Sequence, residues 1–235
     1  MAKKKNKTSK QDLQYLKISY DLAKINLGST GMNPSVGCVV VKDDSIISSG
    51  YTSMTGRPHA EFNALSKKIN FRNSSLFVTL EPCTHYGKTP PCTNLIIKKK
   101  IKNVFYSAND LNPKINGTAT IVLNKKKIKT NIGLLKEKFQ IFYKDYFLTQ
   151  KKDLPLVDGK IAVSKDMFIK SKKNKWITND LSKKVSHLIR SKYNCLISTS
   201  NTINDDNPLL NCRINGLENK TPDLVIIDRF FKIRK

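Results

Sequence analysis

The string His59-Ala60-Glu61, followed by Pro82-Cys83 and then Cys92, restricts this chain more than any other feature of its sequence. One imidazole, two thiols and one extra carboxylate are the parts of a hydrolytic zinc site, and the fold has to bring them together. Three protein ligands leave a fourth tetrahedral position for water, which distinguishes catalytic zinc sites from closed structural ones. Zinc lowers the pKa of that water until hydroxide is available near neutrality. Glu61 follows the histidine by two residues, so it can stand beside the metal without ligating it and carry protons. Pro58 and Pro91 directly precede two of the ligands. Proline suits the first turn of a helix, so His59 and Cys92 are predicted near helix N-termini, where the helix dipole favours Cys92 as a thiolate.

Zinc-dependent base deaminases share H-x-E with a later P-C-x-x-C. The chain matches the first half, but eight residues separate Cys83 from Cys92. The insert carries His85 and Lys88, an imidazole and a cation in a glycine-containing loop suited to an anionic ligand or a polar ring edge. The run Glu81-Pro82-Cys83-Thr84-His85-Tyr86-Gly87-Lys88-Thr89-Pro90-Pro91-Cys92 closely resembles the deaminase domain of the bacterial bifunctional riboflavin-biosynthesis enzymes. These are diaminohydroxyphosphoribosylaminopyrimidine deaminase / 5-amino-6-(5-phosphoribosylamino)uracil reductases. Asn33-Pro34-Ser35-Val36-Gly37-Cys38-Val39-Val40-Val41 and Asn109-Asp110-Leu111-Asn112-Pro113 match as well, and the resemblance runs from about Leu13 to the C-terminus.

The resemblance implies a cytidine-deaminase-like three-layer α/β/α domain with zinc on His59, Cys83 and Cys92 and with Glu61 as catalytic acid and base. It implies hydrolytic deamination of a small phosphorylated pyrimidine, with Asn33, His85 and Lys88 as substrate contacts. A family histidine expected near Thr52 is replaced. Lys160-x3-Ser164-x-Asp166, Lys175-Trp176-Ile177-Thr178 and Asp206-Asn207-Pro208-Leu209-Leu210-x2-Arg213 resemble the start of the family's reductase domain, which is dihydrofolate-reductase-like and uses NADPH. The implied roles there are Asp206 as the catalytic acid, Ser164, Trp176, Thr178 and Arg213 at the substrate, and Lys160 and Thr202 at the cofactor. Only 81 residues run from Pro155 to Lys235, and the family's later Gly-Gly segment has no counterpart, so the expectation is an enzyme truncated within its reductase domain.

Among 235 residues, 43 Lys and Arg face 18 acids, a formal charge of +25. That balance raises a nucleic-acid footprint. Only six of the basic residues are Arg, and the lysines are spread among many Asn and Ile, a pattern of compositional drift on solvated faces. Nucleic acid is therefore disfavoured as a partner, although the field helps to attract a phosphorylated substrate. Five cysteines show no disulfide framework and fit a reducing, cytoplasmic setting. Cys38 and Cys195 read as buried packing. The basic start Met1 to Lys7 has no apolar stretch behind it, and no window reaches membrane-spanning length.

The predicted order is a basic tail at 1–10, a deaminase domain at 11–149, a linker at 150–154 and a partial reductase domain at 155–235. Helices are predicted over Gln11 to Leu27, His59 to Ile69 with Phe62 and Leu65 inward, from Cys92, over Leu134 to Phe147 and over Asn179 to Arg190. Strands are predicted over Val36 to Val41, Ile46-Ile47, Leu76 to Leu80, Asn103 to Ala108, Val157 to Val163, Cys195 to Ser198 and Leu224 to Ile227. The competing readings are a tRNA or nucleoside deaminase, which the cysteine spacing opposes, and a zinc-stabilised nucleic-acid-binding module, which leaves Glu61 idle. A closed structural site would take His85 as its fourth ligand. His187 reads as a surface residue, and a homo-oligomer is left open.

Overall fold

The structure, a computed structural model, describes residues 9–152, 154–169 and 177–233. The chain divides into two compact units, Met1–Leu156 and Val157–Lys235.

In the first unit, a five-stranded sheet has the order β2-β1-β3-β4-β5, with β1 at Gly37–Lys42, β2 at Ser45–Tyr51, β3 at Ser75–Leu80, β4 at Asn103–Ala108 and β5 at Lys129–Ile132. β1 runs antiparallel to β2 and β3, while β3, β4 and β5 are parallel. Asp43 and Asp44 both adopt positive φ, which makes a tight two-residue turn between β1 and β2. Side chains of β1 alternate between faces. Val39 and Val41 pack with Tyr15 and Leu16 of α1 (Lys10–Ala23) and with Phe77. Cys38 and Val40 turn the other way, into a core with Ala60, Ala64 and Leu65 of α2 (Ala60–Leu65), Ile96 of α3 (Cys92–Lys98) and Leu123 of α4 (Thr118–Lys125). Burying each such side chain contributes roughly 1.5–3 kcal/mol. On the α1 side, Phe139 and Phe142 of α5 (Lys136–Phe142) meet the Tyr20 ring at centroid distances of 5.4 and 5.0 Å. The result is the expected three-layer α/β/α domain.

Element ends depart from the sequence reading for local reasons. The Ser9 hydroxyl caps α1 in a capping box with Asp12, but the helix stops at Ala23, and Gly28 with φ of 80° closes the turn that follows. α2 stops at Leu65 and leaves Phe62 49% exposed. Glu61, Ala64 and Leu65 fill its buried stripe, so Phe62 points outward and Phe71 takes the core place. The helix predicted over 134–147 breaks at Tyr143 into α5 and α6 (Lys144–Lys152), and α6 carries the polar stretch from Gln150. The Tyr143 hydroxyl shares a 2.5 Å hydrogen bond with Thr79 and donates to the Ser35 carbonyl, which pulls the residue into the core. α4 and β5 were not predicted. β5 is a polar edge strand whose alternation is too weak to read.

In the second unit, β6 (Cys195–Thr199) pairs in parallel with β7 (Asp223–Ile227), beside α7 (Asp180–Arg190) and α8 (Ser200–Asp206). This pattern fits part of the expected second α/β domain. Asn179 caps α7 at the start of the predicted helix, its side chain accepting from the Ser182 N–H at 2.9 Å. The strand predicted over 157–163 is absent, and Val157 and Ile161 are 75% and 72% exposed. Cys195 is exposed instead of buried. Among the described residues of this unit only Ser200 and Cys212 are buried, and α7 leaves Leu181, Val185, Leu188 and Ile189 exposed. No described helix is long and apolar enough to cross a membrane.

Two outcomes are expected. A Cβ at Gly50 would lie 2.5 Å from both Ala60 O and Ala64 N, so β2 needs glycine there for α2 to lie close against the sheet. Gly50→Ala should therefore destabilise the first unit by about 1–3 kcal/mol in a denaturant titration, and an unchanged midpoint would refute that constraint. Limited proteolysis should cut within Val157–Lys235 before it cuts the first unit, because so little of that segment is buried. Earlier cleavage within 11–147 would contradict this.

Candidate metal centre and substrate cavity

The centre lies where β3 and β4 end and α2 and α3 begin, the crevice outside the carboxyl ends of strands that α/β folds use for ligands. β3 ends at Leu80, and the next side chain, Glu81, is buried. Its carboxylate accepts from the backbone N–H groups of Asp110 at 3.2 Å, Gly117 at 2.9 Å and Ala119 at 2.9 Å. The exit of β3 is thereby tied to the loop after β4 and to the start of α4. Cys83 follows, and its carbonyl accepts both the N–H and the hydroxyl of Thr93, so the first turn of α3 is docked beside it. Cys92 opens α3, and its N–H donates to the Cys83 sulfur at 3.2 Å. His59 is the N-cap of α2, in extended conformation, and turns its imidazole toward both sulfurs.

His59, Cys83 and Cys92 are thus brought together, with their donor atoms within 4.8 Å of one another. His59 Nδ1 lies 3.6 Å from Cys83 Sγ and 3.5 Å from Cys92 Sγ. Tetrahedral zinc, with bonds of about 2.3 Å to sulfur and about 2.0–2.1 Å to nitrogen, sets an N···S edge of about 3.6 Å. The donor set therefore fits zinc in both chemistry and spacing. Among the protein groups themselves the negative charge settles on Cys83. The Cys92 thiol donates to it and, with His59 and the Cys92 N–H, lowers its pKa to about 4. The same hydrogen bond, together with burial, raises Cys92 well above its ordinary value. The helix end favours a thiolate at Cys92, and a buried sulfur beside an existing thiolate gives up its proton when a cation arrives. His59 is raised, chiefly by its hydrogen bond to Cys83. Burial pushes the Glu61 carboxyl up to about 7, with the Cys83 charge adding to the effect. A buried carboxyl held there is suited to both taking and returning a proton.

Glu61 lines a cavity of about 210 Å³ together with Asn33, Thr52, Arg57, His85 and Asp110. Of the three substrate contacts named from the sequence, Asn33 and His85 line this cavity. Lys88 is exposed on the same loop as His85 and is not among the lining residues. The Thr52 hydroxyl is occupied by Val36, accepting its N–H at 2.9 Å. Glu81, Arg57, Asp110 and Tyr146 were missed. Tyr146 donates to the buried Asp110 carboxylate at 3.0 and 3.1 Å, and Asp110 is raised by burial. Glu81 and Asp110 stand inside motifs that the sequence reading had quoted, whereas no signal marked Tyr146.

The positions named for a second site lie on separate segments of the second unit. Lys160, Thr202, Asp206 and Arg213 are exposed, and Ser164 and Thr178 are half-buried. Ser164 hydrogen-bonds within its own turn to Asp166 and to the Phe168 carbonyl, Thr202 N–H donates to Thr199, and Arg213 N–H donates to His187. Among the described residues no hydrogen bond joins any two of these six. Trp176 lies outside the described residues.

Residues 9–108 match the family model of the cytidine and deoxycytidylate deaminase zinc-binding region. The chain is 40% identical over 146 residues to diaminohydroxyphosphoribosylamino-pyrimidine deaminase of Buchnera aphidicola subsp. Schizaphis graminum, covering 62% of itself and 99% of that protein. It is 36% identical over 220 residues to riboflavin biosynthesis protein RibD of Aquifex aeolicus, covering 92% of itself and 62% of that relative. The chain thus spans about three fifths of the length of that relative. The crystal structure of a diaminohydroxyphosphoribosylaminopyrimidine deaminase/5-amino-6-(5-phosphoribosylamino)uracil reductase from Thermotoga maritima superposes with a TM-score of 0.85 at 36% identity, covering 94% of this chain and 64% of that one.

Elemental analysis of the purified chain should find one zinc, and His59→Ala should lose it. No zinc in the wild type, or full retention after His59→Ala, would remove these residues from the role.

Proposed function

The chain belongs to the diaminohydroxyphosphoribosylaminopyrimidine deaminase family, and from that premise we propose that its first unit deaminates 2,5-diamino-6-(5-phosphoribosylamino)pyrimidin-4(3H)-one in riboflavin biosynthesis. The product is 5-amino-6-(5-phosphoribosylamino)uracil, and one water is consumed for each ammonia released. The observation that carries this reading is the tetrahedral N···S spacing of 3.5 and 3.6 Å beside the buried carboxyl of Glu61.

His59, Cys83 and Cys92 would hold zinc. The bound ion supplies Lewis acidity that makes water a competent nucleophile near neutral pH. Glu61 takes the proton that water loses as its oxygen bonds to the ring carbon bearing the 2-amino group. It passes that proton to the adjacent ring nitrogen. It then takes the second proton, from the hydroxyl now on that carbon, and delivers it to the amine as the carbon–nitrogen bond breaks and the carbonyl forms, so Glu61 ends as it began. Asn33 and His85 line the cavity and orient the ring, while Lys88 stands on the loop that carries His85. Thr52, where the family's histidine is expected, contributes wall and no free donor, because Val36 occupies its hydroxyl.

The family's second activity, NADPH-dependent reduction of the ribosyl group, needs Lys160 and Thr202 at the cofactor and Ser164, Thr178, Asp206 and Arg213 around the sugar. These stand on separate segments with none of them buried, so the proposal stops at the deaminase step.

The test is mass spectrometry of the zinc-loaded chain incubated with the diaminopyrimidine phosphate, following replacement of an amino group by oxygen. Glu61→Gln should keep its zinc and lose turnover by ~100-fold or more, the scale of a lost general base. Activity within a few-fold of wild type would make Glu61 a bystander, and no conversion by the wild type would overturn the reading.

A further inference from the structure

We propose that Arg57, in a cradle formed with His85 and Gly87, grips the phosphate of the substrate and sets the preference for a phosphorylated pyrimidine. The inference rests on the deaminase reading and adds to it a residue for which sequence motifs give no role.

The first observation is charge. The cavity is lined by the acids Glu61, Glu81 and Asp110, and Arg57 is the only Lys or Arg among its lining residues. In a chain with 43 basic residues, of which six are Arg, a single guanidinium at this mouth is a selective placement. A dianionic ligand entering past three carboxyl groups needs a fixed cation, and Lys88, exposed on the loop, is not part of the lining.

The second observation is geometry. Arg57 Nη1 donates to the Thr89 hydroxyl at 2.5 Å, a neutral partner, and among the described residues no carboxylate pairs with the guanidinium. The planar group is thus held along one edge and keeps its charge for a ligand. A guanidinium presents parallel donors that match phosphate oxygens, which a lysine ammonium does not. The third observation is space. A Cβ at Gly87 would lie 3.4 Å from Arg57 Nη2 and 3.7 Å from His85 Nε2, so the missing side chain leaves a gap flanked by the guanidinium and the imidazole. The His85 imidazole presents its Nε2–Cδ2 edge to that gap, at 3.7 and 4.0 Å from the same point. A guanidinium and an imidazole flanking one gap suit an oxyanion.

The test uses the zinc-loaded full chain and its Arg57→Gln, Arg57→Lys and Lys88→Ala variants, each checked for zinc content and thermal midpoint. Two readouts are taken: KM and kcat with the phosphorylated and the dephosphorylated pyrimidine riboside, and calorimetric binding of ribose 5-phosphate, which requires no turnover. Arg57→Gln should raise KM for the phosphorylated compound ~10-fold or more, the scale of one lost charge-assisted hydrogen bond. It should leave kcat within a few-fold, spare the dephosphorylated compound and weaken ribose 5-phosphate to match, while Arg57→Lys recovers part of the loss. Equal effects on both compounds, no binding of ribose 5-phosphate by the wild type, or a phosphate effect confined to Lys88→Ala would overturn the cradle. A chain that binds ribose 5-phosphate through Arg57 yet deaminates nothing would uphold the cradle and sink the deaminase reading. A chain that deaminates with Arg57→Gln indistinguishable from wild type would sink the cradle alone.

Discussion

The three backbone N–H groups that converge on the buried Glu81 carboxylate fix the site before any ligand is considered. Each would otherwise be a donor at the end of an element with nothing to satisfy it. By accepting from Asp110, Gly117 and Ala119, one side chain locks the end of β3 to the end of β4 and the start of α4. Burial raises Glu81 while the three donors lower it, so the carboxylate is held by the same contacts that it organises. Cys83 leaves that anchored point in a defined direction, and its carbonyl then seats Thr93 and the first turn of α3. The convergence of two sulfurs on one imidazole follows from this chain of backbone contacts.

Much of this was legible in the sequence because the signals are local. Pro58-His59-x-Glu61 and Pro91-Cys92 announce helix starts in a few residues, and the runs behind β1, β3 and β4 are apolar enough to declare buried strands. What stayed illegible depends on distance or on masking. The break at Tyr143 exists because its hydroxyl reaches the Ser35 carbonyl, 108 residues away in sequence. α4 and β5 hide behind Lys125, Lys126, Lys127 and Lys129, whose charges blur the periodicity. Lys88 was readable as a cation near the metal because it sits inside a motif, whereas Arg57, which does line the cavity, does not belong to one. In the second unit the start of α7 at Asn179 was read correctly, since a helix start needs only a few residues. The strand expected over 157–163 was not, since a strand needs a neighbour.

The two units also differ in how they treat apolar side chains. The first interleaves them on both faces of its sheet, so Val39 and Val40 of one strand serve opposite cores. The second aligns Leu181, Val185 and Leu188 along α7 and leaves them in water. Equal composition would not reveal this contrast, because helical spacing is the same whether or not something covers the stripe.

The loop from Cys83 to Cys92 contains eight residues between the two sulfurs, and among them are His85, Gly87 and Thr89. Coordination of both sulfurs to one ion makes that segment a closed chelate ring. Ring closure removes conformational freedom that the open loop would otherwise recover. In the proposed reaction the ion would thus close the loop that carries His85 and Gly87 as well as supply Lewis acidity. If the proposed seat is ordered by that closure, the two ligands are thermodynamically linked, and each would strengthen the binding of the other by the same factor. A phosphorylated pyrimidine would then tighten the hold on zinc against a chelator, and a chain stripped of metal would bind more weakly a sugar phosphate that never touches the ion.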